Sequence, residues 1–347
     1  MRQQSGGPAF LIRAARVADH PRILKLAREL DSINLPTDSA ALKDALACSE
    51  LSFRGRVRDR ARAVYIFCAE QLETGKLTGA SMIIAKHGTP QSPHFYLELD
   101  GEERYSHTLR RMFRHTFLRL RHSMDGPTEL GGLIVTATMR HRPEKIGKQL
   151  SWVRFLYIAR HRARFEARVL SEMLAPIGPG YRNPFWDHYG REVTGLSFRE
   201  ADSLSTRDKE FIRALFPESP LYTFLLPEEV RRSIGQVGEG TRGAVRLLEQ
   251  AGMKFLSEVD PFDAGPYYGA EIADLVPVKA YRAVRAAIGT PDTEDVGHYL
   301  IARDDAKGFR AVQAAGGIDD GRIIVAREAL SALGAREGDE LAVVPLP

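Results

Sequence analysis

The chain has 347 residues, of which 44% are apolar and 27% charged, so it has enough apolar material for a sizeable core in two or three domains. No apolar run reaches the length of a membrane span, and residues 1–8 lack the apolar stretch of a signal peptide. Cys48 and Cys68 show neither metal-binding nor redox spacing. We therefore expect reduced thiols, no metal, no membrane association and a cytoplasmic location.

The first half predicts a succession of strands and helices. In chain order, its apolar patterns indicate a strand over 11–15, helices over 19–30 and 40–46, and strands over 63–69, 77–84 and 95–98. Residues 107–121 fit two structures, because Met112, Phe113 and Phe117 suit a helical face whereas 116–121 also alternate as a strand does. This order favours a mixed sheet with flanking helices.

The stretch that organises this half begins with residues 131–138, which are β-branched and nearly uncharged and so predict a buried strand. A basic loop follows over 139–148, and residues 149–164 carry apolar side chains at steps of three and four, which predicts a helix. Pro143 suits a first helical turn. Because a helix N-terminus carries free N–H groups and partial positive charge, it is a ready place for a diphosphate.

Positive charge is concentrated around this loop. Residues 104–168 contain fifteen Lys or Arg against four Asp or Glu, although the net charge of the whole chain is only +4 and its pI about 9.0. Such an excess fits an anionic ligand. It also leaves open a basic nucleic-acid binder, for which strong salt dependence would be the signature.

The loop Arg142-x-x-Lys145-x-Gly147 resembles the loop of GCN5-related N-acetyltransferase-type enzymes that wraps the pyrophosphate of coenzyme A. In those enzymes the position of Lys145 is usually a glycine. The resemblance implies that Arg142, Lys145, Gly147 and Lys148 bind the coenzyme.

The second half predicts strands over 167–174, 193–198 and 253–259, with helices over 205–215, from 227 and over 244–252. A Gly- and Pro-containing linker at 280–291 then leads to a different pattern. Short strands over 298–303, 309–315 and 322–325, a helix over 326–333 and a strand after Gly338 predict a small closed barrel.

Four motifs occur in one order in this second half. They are Pro184-Phe185-Trp186-x-x-x-Gly190, Ser219-Pro220-Leu221-Tyr222-Thr223, Gly235-Gln236-Val237, and Asp260-x-Phe262-Asp263-x-Gly265-Pro266. Together they resemble the arginine N-succinyltransferase family, including its arginine/ornithine succinyltransferase subunits, over nearly the whole chain.

The resemblance implies an α/β (α+β) fold with tandem N-acyltransferase-like mixed sheets, flanking helices and a small C-terminal β-barrel. The expected domains are a coenzyme-binding half at 1–166, a second acyltransferase-like half at 167–279, and the barrel at 280–347. The implied activity is transfer of succinyl from succinyl-CoA to the α-amine of arginine or ornithine in arginine catabolism. The implied assembly is a homo-oligomer or a hetero-oligomer with a sister subunit.

The chain departs from the family at two places. Gly-Gln-Val is followed in the family by a histidine regarded as the proton donor, and here that position is Gly238. The family's Thr-Ser-Leu-Pro near the first helix is Ile33-Asn34-Leu35-Pro36. A divergent non-catalytic subunit, or an acyltransferase with a different acceptor, is therefore the alternative hypothesis.

The resemblance places the acyl-CoA contact of the core strand on Leu133. Glu239 and Tyr222 are substitute candidates for the missing proton donor, with His188 a third, although each also fits an ordinary structural role. Asp260 and Asp263 suit a guanidinium, which carboxylates bind through paired hydrogen bonds. They equally suit a turn at a strand end, and both interpretations stay open.

Overall fold

The computed structural model describes residues 7–29, 35–290 and 296–347. Ile33 and Asn34, where the sequence departs from the family motif, lie outside these ranges. Among the described helices, none is long and apolar enough to cross a membrane. Within the same ranges, no group of three or more His, Cys, Asp or Glu side chains could hold a metal ion.

The described strands join into one sheet. In chain order they are β1 Phe10–Ala14, β2 Val64–Gln71, β3 Leu77–Ile84, β4 His94–Ser106, β5 Arg111–Ser123, β6 Thr128–Val135, β7 Arg168–Glu172, β8 Leu221–Tyr222, β9 Lys254–Val259, β10 Pro266–Glu271, β11 Arg282–Ile288, β12 Gly297–Asp305, β13 Gly308–Asp319, β14 Arg322–Val325 and β15 Glu340–Pro345.

The described α-helices flank this sheet. They are α1 His20–Glu29, α2 Ser39–Phe53, α3 Ile146–Arg160, α4 Arg191–Thr194, α5 Phe198–Ser205, α6 Glu210–Leu215, α7 Glu228–Ser233, α8 Arg242–Gln250, α9 Val276–Lys279 and α10 Arg327–Leu333.

The spatial order of the strands is β12-β15-β11-β14-β13-β1-β2-β3-β6-β7-β10-β9-β4-β5-β8. Because β12 also pairs with β13, the five strands of the C-terminal part close into a barrel. β6 and β7 are parallel, as are β11 and β14, whereas the other described pairs are antiparallel. The predicted α/β fold, with mixed strands, flanking helices and a small barrel, is confirmed. The predicted domain boundaries at 166 and 279 stay predictions.

Helix α3 is the centre of the largest core. Its side chains from Gln149 to Ile158 are buried, and they pack in one cluster with residues such as Phe67, Val169 and Leu248. Core contacts on nearly every side hold this helix in one position, which fixes the place of its N-terminus.

A second core contains the Pro184-Phe185-Trp186 motif. The Trp186 ring stacks on Phe262 with ring centroids 5.1 Å apart, and both Phe185 and Trp186 are buried. A Cβ at Gly190 would come within 2.2 Å of the Trp186 ring, so only glycine fits there. The motif therefore packs a helical segment against the strand-end turn that contains Phe262.

The structure contradicts one sequence prediction and decides between the two alternatives of another. The strand predicted over 193–198 is wrong, because Arg191–Thr194 and Phe198–Ser205 are helical. Ser197 and Glu200 form a capping box that starts α5, and this local signal outweighs the β-branched residues before it. The ambiguous segment 107–121 is mainly the strand β5, paired with β4 over thirteen residues.

Candidate functional site

The strands β6 and β7 separate in the middle of the sheet. They pair only at Thr128 with Val169 and at Glu129 with Leu170. One residue further, the Ser171 hydroxyl donates to the Leu130 carbonyl at 2.7 Å, so a side-chain hydrogen bond takes the place of the next backbone bond between the two strands. Continuing the register would place Leu133 opposite Leu174, where the described strands are no longer paired. Beyond Leu130 the two described strands therefore share no ladder hydrogen bonds, and we call this gap in the sheet the opening.

A β-bulge shapes the β6 edge of this opening. Gly131 pairs with Met82 and Ile134 with Ala80, so Gly132 and Leu133 together face Ser81 alone. Gly132 has φ +59°, and a Cβ there would lie 3.1 Å from Met82 Cβ. Both facts require glycine. The bulge puts half-buried Leu133, the predicted acyl-CoA contact, beside the opening.

The predicted diphosphate loop lies between the end of β6 and the start of α3. The helix begins at Ile146, three residues before the predicted start at 149, and it ends at Arg160 rather than 164. Pro143 lies in the preceding turn rather than in the first helical turn as predicted. Gly147 lies against the end of β6, since a Cβ there would be 3.6 Å from Val135 Cγ2. No side chain caps the first turn of α3 within the described structure, and although the Lys148 N–H donates to the Lys145 carbonyl at 2.8 Å, the N–H groups of Ile146 and Gly147 remain open to an anion.

Lys145 precedes the helix with φ +48° and ψ +50°, a left-handed conformation that favours glycine. This is the position at which the related acetyltransferase loop usually carries glycine. Here a lysine adopts the left-handed conformation and adds a positive charge to the turn.

The three cations predicted around this turn are all present at its surface. Arg142 and Lys145 are exposed, and Arg142 lies 3.6 Å from Glu144. Lys148 is half-buried and donates to the Pro347 carbonyl. Burial and the neighbouring Lys145 lower the pKa of Lys148. A polyanion bound at this turn would relieve that repulsion.

A further cation lies beneath the opening. The Arg154 side chain is buried in α3, donates to the Ser151 hydroxyl at 2.9 Å and reaches the Gly131 carbonyl at 3.5 Å. Within the described residues it has no carboxylate partner, and burial lowers its pKa to about 9. Arg154 thereby ties the helix to the strand at the point where β6 leaves β7.

Gly238, which replaces the family's histidine, lies at the other edge of the opening. Its N–H donates to the Leu174 carbonyl at 2.8 Å, and Leu174 lies two residues beyond the end of β7. A Cβ on Gly238 would lie 3.0 Å from the Ala175 carbonyl oxygen. Glu239 is exposed one residue later, at the start of the turn that leads into α8.

Asp260 and Asp263 line a cavity of about 170 Å³ that Leu174 also borders. Its other polar side chains are His87, His94, Glu172, Asp202, Ser205, Lys209 and Tyr267. Asp260 accepts hydrogen bonds from two backbone N–H groups and from Tyr267, whereas Asp263 accepts from the N–H groups of Ala175 and Gly265. The turn interpretation is therefore correct for both residues, and their place in the cavity wall keeps the guanidinium interpretation as a proposal.

The cavity is strongly acidic. Burial, together with Asp260, raises the pKa of Asp263 to about 7. Burial and the two aspartates also raise the pKa of Glu172 well above its ordinary value. Glu172 accepts no hydrogen bond from any described residue, so its carboxylate faces the cavity without a partner. Such a site attracts a cation, which would replace the shared protons.

Tyr222 does not join these groups. It lies in β8, six strands from β6, which is roughly 25–30 Å across the sheet. Its hydroxyl donates to Glu102 at 2.9 Å. His188 is also apart, since its ring bonds the Pro184 carbonyl on an exposed surface.

Sequence reasoning missed the acids of the central strands and the cavity histidines. Glu129 and Glu172 are single carboxylates within otherwise apolar strands, and that contrast was a usable signal. His87 and His94 belong to no motif, and only the sheet order brings them to β7 and β10.

The chain is similar to known proteins over most of its length. The family described as "Arginine N-succinyltransferase beta subunit" matches residues 10–277, and its C-terminal domain matches residues 280–345. The chain is 31% identical to arginine N-succinyltransferase subunit beta of Pseudomonas aeruginosa, over 97% of this chain and 98% of that protein. It is 34% identical to an arginine N-succinyltransferase of Yersinia pseudotuberculosis, over 81% of this chain and 82% of that protein.

A solved structure is similar over almost the whole length. It is the arginine/ornithine succinyltransferase subunit AI from Pseudomonas aeruginosa, with a TM-score of 0.84 and 26% identity. The match covers 98% of this chain and 100% of that one.

The left-handed conformation of Lys145 predicts an unusual order of stabilities. Lys145→Gly should be about 1 kcal/mol more stable than Lys145→Ala, because only glycine adopts positive φ without a Cβ conflict. Denaturant unfolding measures both values. At exposed Glu249 in α8, the same pair should show the reverse order, since alanine is preferred inside a helix. If the glycine and alanine variants rank in the same order of stability at both positions, the left-handed conformation of Lys145 is contradicted.

The acidic cavity predicts a pH-dependent loss of stability in the ligand-free protein. The raised pKa values mean that the folded state binds protons that the unfolded state has lost, so stability falls as pH rises from the ordinary aspartate pKa of 3.8 to about 7. Between pH 5 and 7, Glu172→Gln should flatten this fall by removing one carboxylate.

Thermal unfolding of both proteins across that range is the measurement. Exposed Glu218→Gln is the matched control and should keep the wild-type slope. A slope unchanged by Glu172→Gln would show that these carboxylates do not share protons.

Proposed function

Because the chain belongs to the arginine N-succinyltransferase family, we propose that it transfers succinyl from succinyl-CoA to the α-amine of arginine or ornithine, in arginine catabolism. The observation that carries this proposal is the opening between β6 and β7, with a basic helix N-terminus on one side and an acidic cavity on the other. These two features match the opposite charges of the two substrates.

The coenzyme has its counterpart in the basic turn. We assign its diphosphate to the open N–H groups of α3 and to Arg142, Lys145 and Lys148, with Gly147 allowing close approach. The pantetheine arm would then enter the opening beside Leu133. Unpaired strand N–H groups at this edge are suitable donors to a thioester carbonyl on which negative charge develops.

The acceptor has its counterpart in the cavity. We assign the cationic end of the amino acid to Asp260, Asp263 and Glu172. Its α-amine would then lie toward Leu174, which borders both the cavity and the opening. Positioning two substrates this way supplies a large part of the rate by itself.

The reaction also needs an uncharged amine and a proton for the leaving thiolate. We assign proton transfer to Glu239, which directly follows Gly238 and has its carboxylate exposed. We do not assign it to Tyr222, because that hydroxyl is bonded to Glu102 six strands away. Family membership favours an active acyltransferase over the non-catalytic subunit considered as the alternative.

We further propose that the chain works as a homo-oligomer or with a sister subunit, in the cytoplasm. The hairpin of β4 and β5 supports self-association, because the end that contains the connecting turn exposes large apolar side chains. These are Tyr105, Leu109, Met112 and Phe113. Exposed apolar side chains grouped in this way are typical of protein contact surfaces.

The proposed function predicts thiol release from succinyl-CoA only when arginine or ornithine is added. The assay is thiol detection with purified protein, run across basic amino acids and several acyl-CoA donors. No release with any basic amino acid would refute the activity.

Restoring the family's histidine at position 238 should increase the rate of succinyl transfer. Gly238→His should raise kcat at least tenfold, since a positioned acid or base contributes roughly 10²–10⁴ in rate. The backbone must yield slightly to admit the new Cβ beside the Ala175 carbonyl. Gly240→His, two residues on with open space around it, is the matched control and should change nothing. An equal gain in both variants would show that the position itself is not special.

A further inference from the structure

One buried nitrogen in the cavity wall has no partner. His94 begins β4 and is only 4% exposed, yet its Nε2 makes no hydrogen bond with any described residue. Its ring packs against Tyr267 and Tyr96, with centroids 5.0 and 5.4 Å away, and it lines the acidic cavity. A buried polar atom without a partner is costly, which indicates that something else bonds it.

The other nitrogen of His94 ends a chain of hydrogen bonds. His94 Nδ1 lies 2.9 Å from His87 Nε2, and His87 Nδ1 lies 2.5 Å from the Glu129 carboxylate. Burial alone would raise the pKa of Glu129, but the contact with His87 lowers it, so the carboxylate is ionised.

This chain sets the tautomer of both rings. Because ionised Glu129 accepts from His87 Nδ1–H, a neutral His87 has its lone pair on Nε2. His87 Nε2 then accepts from His94 Nδ1–H, which leaves the His94 lone pair on Nε2, the buried nitrogen that has no partner among the described residues. Burial holds the pKa of His94 well below its ordinary value, so the ring is neutral at pH 7.

The polar groups that line the cavity together with His94 are mostly acceptors. They are Glu172 from β7, Asp260 and Asp263 from the turn before β10, Tyr267 from β10, Asp202 from α5 and Lys209 from the residue before α6. Lys209 is directed elsewhere, toward the Pro93 carbonyl at 3.4 Å, and forms no ion pair with these carboxylates in the described structure. The cavity therefore offers acceptors to a cation rich in N–H donors.

We propose that His94 is a specificity-determining residue whose Nε2 accepts a hydrogen bond from the guanidinium of the acceptor amino acid, beside Glu172 and Asp263. Glu129 and His87 act as positioning residues that hold this lone pair toward the cavity. The inference rests on the proposed function and extends it, because it orients the acceptor with its guanidinium at His94 and its α-amine toward the opening.

The test compares arginine with citrulline, whose neutral ureido group has nearly the same shape as guanidinium. Arginine should raise the thermal unfolding temperature of the wild-type chain, and citrulline should not. His94→Phe keeps a ring between the two tyrosines but removes the acceptor. It should weaken arginine binding roughly 10- to 100-fold and raise the arginine KM accordingly, while the KM for succinyl-CoA stays unchanged.

His87 provides a readout that a merely structural role would not give. His87→Gln can still donate to Glu129 and accept from His94, so it should keep most of the arginine affinity. His87→Phe breaks the chain and should behave like His94→Phe. Exposed His122→Phe on the neighbouring strand β5 is the matched control and should leave the affinity unchanged.

The outcomes separate this inference from the proposed function. Equal protection of wild type and His94→Phe by arginine, or protection of neither, would overturn the role of His94. Thiol release by the wild type tests the succinyl transfer independently. If the variants fold poorly, imidazole nitrogen NMR of the wild type decides, since arginine but not citrulline should shift the His94 Nε2 resonance. An unmoved resonance would overturn the inference.

Discussion

The separation of β6 from β7 is the constraint on which the site depends. Two parallel strands in mid-sheet normally continue their ladder, because unpaired backbone groups in a core are costly. Here the backbone pairing of β6 with β7 ends after Glu129, and the Ser171 hydroxyl makes the next hydrogen bond. The bulge at Gly132 and Leu133 then interrupts the regular pairing of β6 with β3. A strand edge left open in this way can bond a ligand by its backbone, and the core around α3 holds it open.

Charge is divided across this opening. On one side, the helix N-terminus has no side-chain cap from the part of the chain that the structure describes, and Arg142, Lys145 and Lys148 surround it. On the other, burial and mutual repulsion raise the pKa values of Glu172 and Asp263, and Glu172 accepts no hydrogen bond from any described residue. Each side is electrostatically unfavourable when empty and becomes favourable with an ion of opposite sign. Succinyl-CoA and a basic amino acid would therefore each stabilise the part of the protein that binds it.

The sequence predicted the local part of this site well. The strand, basic loop and helix from 131 to 164 are contiguous, and their periodicity and charge are visible without a structure. The cavity could not be predicted in the same way, because His87, Glu172 and Asp263 meet only through the order in which distant strands pair. Asp260 and Asp263 were found from a motif, but their turn geometry and their place in a cavity wall could not be separated by sequence. The strand predicted at 193–198 failed for a local reason, since Ser197 and Glu200 cap a helix there.

A crystal structure of the chain with coenzyme A tests the central claim most directly. The diphosphate should lie at the N-terminus of α3 beside Lys145, and the pantetheine arm should pass between β6 and β7 next to Leu133. Coenzyme A bound elsewhere, with the space between these strands closed by side chains, would contradict the account.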